Sequence, residues 1–298
     1  MIDARRQAAL RGLELTVLRR LDGILQGDYR GLLPGHGFDK GEARVYLPGD
    51  DVRHIDWNVT ARTTEPHVRD TIADRELETT LVIDLSGSMS FGTAREEKRD
   101  TALAAAAAVA FLVARGGNRL GGLVAGGQTV DWMRPRTGRT QLMGLLAKMY
   151  AVERETGRTD LSSVLLTAER LAKRRGFVAV MTDFLDDGPW PQALRGLASH
   201  HDVLAIEIED PRELDLPDVG AITMVDPETG RRRIVNTSSA SFRRAFAEQA
   251  GEQRDEIGRA IRATGADHLK LSTGRDWIPD LIKHVRLRRA GGLTGRRP

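Results

Sequence analysis

The hydrophobic positions along this chain follow one pattern before about residue 77 and a different pattern after it. In the later part, short continuous apolar runs alternate with longer segments whose apolar residues recur at helical spacing. Continuous runs predict buried strands, and helical spacing predicts amphipathic helices. The predicted strands are residues 80–83, 119–124, 129–133, 177–181, 203–208 and 268–271, and the predicted helices are residues 96–113, 141–150, 162–171, 191–198, 241–264 and 277–289. Strands that are apolar throughout and separated by helices indicate an α/β fold with a doubly wound, mainly parallel sheet.

The part before residue 77 is less regular. Residues 5–25 carry leucine, isoleucine and valine at helical spacing between arginines, which predicts an amphipathic helix. From Tyr29 to about Asp74 there is no strong periodicity, and Pro-Gly pairs punctuate the segment, which is typical of short strands and turns. Because residues 44–57 contain too few periodic apolar residues to form a core, we expect this segment to dock onto the following domain and to bury Trp57.

These patterns predict three parts of the chain. An N-terminal helix and irregular docking segment occupy residues 1–76, an α/β domain with an insertion near residues 210–237 occupies residues 77–290, and a basic flexible tail occupies residues 291–298. Within the insertion, the sequence Pro227-Glu228-Thr229-Gly230 predicts the turn of a hairpin.

The composition excludes several classes of site. The chain has 298 residues and no cysteine, which excludes a disulfide framework, a thiolate zinc site, an iron–sulfur cluster and a cysteine nucleophile. The net charge is +3, but residues 281–298 hold six basic residues and no acidic one, which leaves 39 basic and 42 acidic residues elsewhere. The tail is therefore expected to allow peripheral contact with an anionic membrane surface. Because no nucleic-acid recognition motif is present, no specific nucleic acid is expected as a partner.

The location expected from the sequence is cytoplasmic. The N-terminal residues lack the apolar segment of a secretory signal. The most apolar stretch, residues 101–114, is too short to cross a bilayer. Eight of its fourteen residues are alanine, so we predict a buried and closely packed helix there.

Polar residues follow the predicted strands at the edge of the sheet where ligands bind in open α/β folds. The first strand runs into Asp84-Leu85-Ser86-Gly87-Ser88, a later loop holds Thr159-Asp160, and another strand runs into Thr182-Asp183. Carboxylate and hydroxyl oxygens are hard donors that suit Mg²⁺, or Mn²⁺ as the alternative ion. Because hydroxyl ligands are neutral, a bound ion keeps positive charge and favours an acidic side chain from a partner. Serine and aspartate at such junctions also serve as helix caps, which is the alternative interpretation.

The same residues resemble a known site. The sequence Leu81-Val82-Ile83-Asp84-Leu85-Ser86-Gly87-Ser88-Met89, together with Arg158-Thr159-Asp160-Leu161 and Val180-Met181-Thr182-Asp183, is similar to the metal-ion-dependent adhesion site of von Willebrand factor A domains. That resemblance implies Asp84, Ser86 and Ser88 as first-loop ligands, Thr159 as the second-loop ligand and Asp183 as the third-loop ligand. Two positions that are usually glycine in those domains are Arg158 and Phe184 here.

A second resemblance lies in the irregular segment. The sequence from Gly41 to Trp57, GEARVYLPGDDVRHIDW, resembles the hallmark of domain-of-unknown-function family fifty-eight, whose members are typically found beside MoxR-type AAA+ ATPases. The resemblance implies a non-enzymatic, divalent-metal-dependent adaptor that binds such an ATPase, a client protein with an acidic residue, or both. The alternative is a Mg²⁺-dependent hydrolase or phosphoesterase that uses the same metal site. No catalytic residue is assigned, because the sequence has no P-loop, no G-x-S-x-G motif and no evident general base.

Overall fold

The structure is a computed structural model that describes residues 43–47, 50, 52, 55–63, 65–69, 77–93, 96–126, 129–152, 159–225 and 229–292. The chain divides into two compact units, a smaller one within Leu33–Glu76 and a larger one that contains the described residues from Leu77 onward. The helix predicted over residues 5–25 lies outside the described residues, as do residues 293–298 of the predicted tail.

The described part of the smaller unit contains two short antiparallel strands, β1 (Ala43–Val45) and β2 (His67–Arg69), and one helix, α1 (Trp57–Thr63). Asp56 caps this helix, because its Oδ1 atom accepts hydrogen bonds from the main-chain N–H groups of Asn58 and Val59. The expectation that Trp57 is buried is wrong. Trp57 is 70% exposed, because it is the first residue of a short helix that has no buried residue. Docking of this segment onto the following domain stays a prediction.

The larger unit is built on a six-stranded sheet with a separate hairpin. Its strands are β3 (Glu78–Asp84), β4 (Arg119–Gly126), β5 (Thr129–Arg136), β6 (Phe177–Thr182), β7 (Asp202–Glu209), β8 (Ala221–Val225), β9 (Arg232–Asn236) and β10 (Asp267–Ser272). The sheet order is β10-β7-β6-β3-β4-β5, and every neighbouring pair is parallel except β4 and β5. Counted along the chain, this is the doubly wound order 3-2-1-4-5-6. The predicted fold class is confirmed.

Six helices in the described part of the larger unit accompany this sheet. They are α2 (Lys98–Arg115), α3 (Arg139–Ala151), α4 (Leu161–Leu171), α5 (Trp190–His200), α6 (Ala240–Ala263) and α7 (Ile278–Gly292). Helix α2 contains the alanine-rich stretch, and nearly all of its residues are buried, as the sequence predicts. Strand β3 lies at the centre, and its residues Leu81, Val82 and Ile83 are fully buried. No helix in the described part of the chain is both long enough and apolar enough to cross a membrane.

The predicted insertion contains the antiparallel hairpin of β8 and β9, which pair with Thr223 opposite Ile234. This pairing confirms the predicted hairpin, although Pro227 and Glu228 of the predicted turn lie outside the described residues. Arg288 is one of the six basic residues near the C-terminal end of the chain. Its guanidinium group pairs with Asp202 at 2.5 Å and with Asp267 at 3.0 Å, so this residue is anchored to the sheet.

Candidate metal-ion site

The candidate site lies at the point where the strand order reverses. Strands β3 and β6 are parallel neighbours, with Ile83 opposite Met181, so their carboxyl ends meet at one edge of the sheet. The chain connections leave these two strands in opposite directions, which creates the crevice where ligands bind in doubly wound folds. Thr182 Oγ1 donates a hydrogen bond of 2.7 Å to Asp84 Oδ2 and joins the two strand ends directly.

The first loop turns tightly after β3 and gathers three oxygen-bearing side chains. Asp84 Oδ1 accepts a hydrogen bond of 2.9 Å from the main-chain N–H of Ser86, which is the geometry of an Asx turn. A short 3₁₀ helix, Gly87–Ser90, follows. It brings Ser88 Oγ to 3.2 Å from Ser86 Oγ. The structure therefore brings Asp84, Ser86 and Ser88 together, and all three are buried.

The third loop holds Asp183 in a way that the sequence did not predict. Asp183 Oδ1 accepts a hydrogen bond of 3.1 Å from the N–H of Leu185. Asp183 Oδ2 accepts one of 2.7 Å from the ammonium group of Lys98, whose side chain is fully buried. The same ammonium group lies 2.5 Å from Glu213 Oε1. One oxygen of a predicted metal ligand is thus occupied by a cation that belongs to the protein.

The residue predicted for the second loop is also buried. Thr159 directly precedes Asp160, whose carboxylate caps α4 by accepting hydrogen bonds from the N–H and the hydroxyl group of Ser163. The capping interpretation therefore holds for Asp160. The assignment of Thr159 as a ligand alongside Asp84 stays a prediction.

The two carboxylates of the site differ in their electrostatics. Burial and the nearby Asp183 carboxylate together raise the pKa of Asp84 to about 6, although hydrogen bonds from Thr182 and Ser86 act in the opposite direction. Burial also raises the pKa of Asp183, but the Lys98 ammonium, the N–H of Leu185 and the Arg254 guanidinium together hold it below its ordinary value. Among the described residues Asp84 forms no ion pair, so a cation beside it would be strongly favoured.

The oxygen atoms of the first loop fit a hard divalent ion. A buried carboxylate and two hydroxyl groups are the donors that Mg²⁺ and Mn²⁺ accept. Within the described ranges no three His, Cys, Asp or Glu side chains cluster as a metal site, so an ion here depends on the hydroxyl groups of Ser86 and Ser88. With one Asp183 oxygen bound to Lys98, the fit rests mainly on Asp84 and these serines.

A buried ion network extends away from Asp183. Arg254 Nη2 lies 2.6 Å from Glu213 Oε2, and Arg254 Nη1 donates to the main-chain oxygen of Asp183 at 2.9 Å. Arg254 Nη1 also contacts Glu207 Oε1 at 3.2 Å, and His268 Nε2 lies 2.7 Å from Glu207 Oε2. Ion pairs and hydrogen bonds of Arg254 therefore connect the third loop to strand β7, to helix α6 and to the turn at residues 211–213.

Phe184 occupies one of the two positions where the resembling domains usually have glycine. Its φ angle is 56°, in the left-handed region that glycine adopts most easily, so the loop keeps the backbone that a glycine would give. The other position, Arg158, lies outside the described residues.

The chain is similar in sequence to a protein family and to individual proteins of known sequence. The model of the family described as "Protein of unknown function DUF58" matches residues 42–256. The chain is 48% identical over 295 residues to "Uncharacterized protein Rv1480" of Mycobacterium tuberculosis, a match that covers 98% of this chain and 93% of the relative.

Two solved structures show a weaker likeness. A von Willebrand factor type A protein from Catenulispora acidiphila has a TM-score of 0.42 and 12% identity, covering 75% of this chain and 43% of that one. The conserved hypothetical protein BatB from Bacteroides thetaiotaomicron has a TM-score of 0.46 and 11% identity, covering 74% of this chain and all of that one. Both scores are low, and the fold is defined here by its own strand order and strand directions.

Proposed function

The chain belongs to the DUF58 family, and from this premise we propose that it is a divalent-metal-dependent protein-binding adaptor that acts with a MoxR-type AAA+ ATPase. The ion, Mg²⁺ or Mn²⁺, binds at Asp84, Ser86 and Ser88, with Thr159 as a further ligand, and Asp183, which has one oxygen bound to Lys98, positions the third loop. An acidic side chain of the ATPase, or of a client protein, completes its coordination. Because ATP is supplied inside the cell, the proposal places this encounter in the cytoplasm.

The observation that carries the proposal is the charge of Asp84. This carboxylate is buried at the strand-order reversal, forms no ion pair among the described residues, and has a pKa raised to about 6. A divalent ion would supply the missing positive charge. The neighbouring serine hydroxyl groups would leave part of the ion's charge uncompensated, which favours an anionic ligand from outside the chain.

The site supports binding better than it supports catalysis. The described side chains that contact Asp84 are hydroxyl groups, which are poor general bases at neutral pH. Lys98 and Arg254, the basic groups that contact Asp183, are themselves held by carboxylates. A metal bridge between two proteins needs no general base, whereas hydrolysis by an activated water benefits from one.

The test is a binding measurement with a purified MoxR-type ATPase encoded in the same genome. We expect binding in Mg²⁺, loss of binding in EDTA, and loss of binding for Asp84→Ala. Asp131→Ala is the matched control, because Asp131 is an exposed carboxylate on strand β5, two strands from β3 in the sheet. Equal binding in Mg²⁺ and EDTA would contradict the proposal. Mg²⁺-dependent hydrolysis by the protein alone, abolished in Asp84→Ala, would favour the hydrolase alternative.

A further inference from the structure

Lys98 is a charged residue in an unfavourable place. It begins helix α2, where the helix dipole disfavours a cation, and its side chain is completely removed from water. Both effects oppose the ammonium form. They are overcome by two carboxylates, since Nζ lies 2.7 Å from Asp183 Oδ2 and 2.5 Å from Glu213 Oε1. An exposed lysine would be stabilised by water and would not need two carboxylates. The burial of Lys98 therefore depends on its contacts with Asp183 and Glu213.

The charges around Lys98 balance one another in a shared network, in which Lys98 contacts both Asp183 and Glu213. Lys98 faces Asp183, and Arg254 faces the second oxygen of Glu213 at 2.6 Å. Glu207 is matched by Lys270 at 3.6 Å and by contacts from His268 and Arg254. Asp84 stands outside this matching, because no cation pairs with it in the part of the chain that the structure describes.

We infer that Lys98 is an internal counter-ion that neutralises Asp183, so that Asp84 alone supplies the negative charge that holds the divalent ion. Asp183 is then a positioning residue that fixes Lys98 and, through its main-chain oxygen, Arg254. This inference rests on the proposed metal site. It also specifies the partner's chemistry, because an ion beside one carboxylate keeps one positive charge and is matched by one acidic side chain. With two active carboxylates the ion would already be neutralised.

The test removes both members of the pair at once. Lys98→Met combined with Asp183→Asn changes no net charge, and Glu213 keeps its contact with Arg254. Mn²⁺ binding is measured by the loss of the free-ion signal in electron paramagnetic resonance. We expect the double variant to bind Mn²⁺ within about threefold of wild type, and Asp84→Asn to bind at least about tenfold more weakly, since ligand charge sets affinity at such sites. The matched control, Lys148→Met with Asp131→Asn, removes an exposed pair and should not change binding.

The outcomes separate this inference from the proposed function. If wild type binds no Mn²⁺, the proposed metal site is wrong and the inference falls with it. If wild type binds and the double variant is as weak as Asp84→Asn, the site stands and only the role of Lys98 is overturned. Should the double variant fail to fold, a crystal structure of the wild-type protein with Mn²⁺, located by anomalous scattering, decides the question. Lys98 Nζ should remain on Asp183 Oδ2, and a turn of that oxygen toward the ion or its waters would overturn the inference.

Discussion

Phe184 packs its ring against Trp190, with the ring centroids 5.1 Å apart, while its own backbone lies in the left-handed region at φ 56°. A left-handed conformation costs a non-glycine residue roughly 1 kcal/mol or more. The contact offsets that cost, because both rings are buried in the core beneath the third loop. A glycine would adopt this left-handed backbone conformation without strain. In this chain the packing of Phe184 against Trp190 stabilises the same conformation of the loop that carries Asp183.

The backbone strain at Phe184 predicts an unusual order of stabilities. Phe184→Ala should lower the free energy of unfolding by about 3–5 kcal/mol, because a buried ring is lost while the strain remains. Phe184→Gly loses the same ring but relieves the strain, so it should be about 1 kcal/mol more stable than Phe184→Ala. Urea unfolding of the two variants measures the difference.

Phe177 provides the control for this order. It is equally buried but lies in strand β6, where glycine is less favourable than alanine. Phe177→Gly should therefore be less stable than Phe177→Ala. If glycine is the poorer replacement at both positions, the strain assigned to Phe184 is absent in solution.

A divalent ion at the candidate site should stabilise the fold by a predictable amount. A ligand at ten times its Kd adds about 1.4 kcal/mol to the free energy of unfolding. For a protein of this size that raises Tm by about 3 °C. Wild type should show this rise in Mg²⁺, and Asp84→Ala should not. Equal responses of the two proteins in a thermal melt would show that the ion does not bind at Asp84.

The sequence predicted the frame of the site well, for a physical reason. Strands β3 and β6 each contain a continuous apolar run and end in a polar residue, so the strands and the edge at which Asp84 and Asp183 lie can be located from the pattern. The order of the helices and the hairpin of β8 and β9 follow from equally local signals.

The contact between Lys98 and Asp183 was not predictable in the same way. The two residues are 85 positions apart, and Glu213 is 115 positions from Lys98. A lysine at the start of a helix is usually exposed, and no local pattern distinguishes one that is buried. The position of Lys98 at the positive end of the helix dipole indicates that it needs a carboxylate partner. It does not indicate which carboxylate that is. Trp57 shows the opposite error, because an aromatic residue suggested burial although the short helix α1 buries nothing.

The exposure of Trp57 predicts a specific fluorescence result. Trp190 and Trp277 are buried, whereas Trp57 is exposed, so iodide should quench Trp57 in preference to these two. Trp57→Phe should reduce the quenchable fraction, and Trp190→Phe should not. The free energy of unfolding of Trp57→Phe should stay within about 0.5 kcal/mol of wild type. An unchanged quenchable fraction together with a large loss of stability would show that Trp57 is buried in solution.

Asp210 predicts a pH-dependent contribution to stability. Its buried carboxylate accepts hydrogen bonds from Thr273 Oγ1 at 2.5 Å, from Thr93 Oγ1 at 2.9 Å and from the N–H groups of Thr93 and Arg212. Burial raises the pKa of Asp210, but these hydrogen bonds together lower it below its ordinary value of 3.8. The folded state therefore binds this proton less readily than the unfolded state. The resulting stability is fully present above about pH 4 and is lost as the pH falls through the folded pKa.

The substitution Asp210→Asn isolates that contribution. At neutral pH it should lower the free energy of unfolding by about 1–3 kcal/mol, because the amide group replaces one acceptor oxygen and leaves donors unpaired. Below pH 4 the difference from wild type should shrink. Unfolding curves at several pH values measure it, and Asp131→Asn, at an exposed carboxylate, is the control. A difference that is constant with pH would show that Asp210 has no lowered pKa.

Substitution of three serines in the first loop tests which hydroxyl groups bind the metal ion. Ser86 Oγ and Ser88 Oγ lie 3.2 Å apart beside Asp84, whereas Ser90 Oγ, two residues further along the same 3₁₀ helix, is buried without a hydrogen-bond partner among the described residues. Ser86→Ala and Ser88→Ala should each weaken Mn²⁺ binding by about tenfold, which corresponds to about 1.4 kcal/mol for one lost ligand. Ser90→Ala should leave Mn²⁺ binding unchanged and should not reduce stability, because it removes an unsatisfied buried hydroxyl group. Calorimetric titration measures all three affinities. A loss of similar size in Ser90→Ala would mean that the substitutions act by disturbing the loop, and the assignment of Ser86 and Ser88 as ligands would then fail.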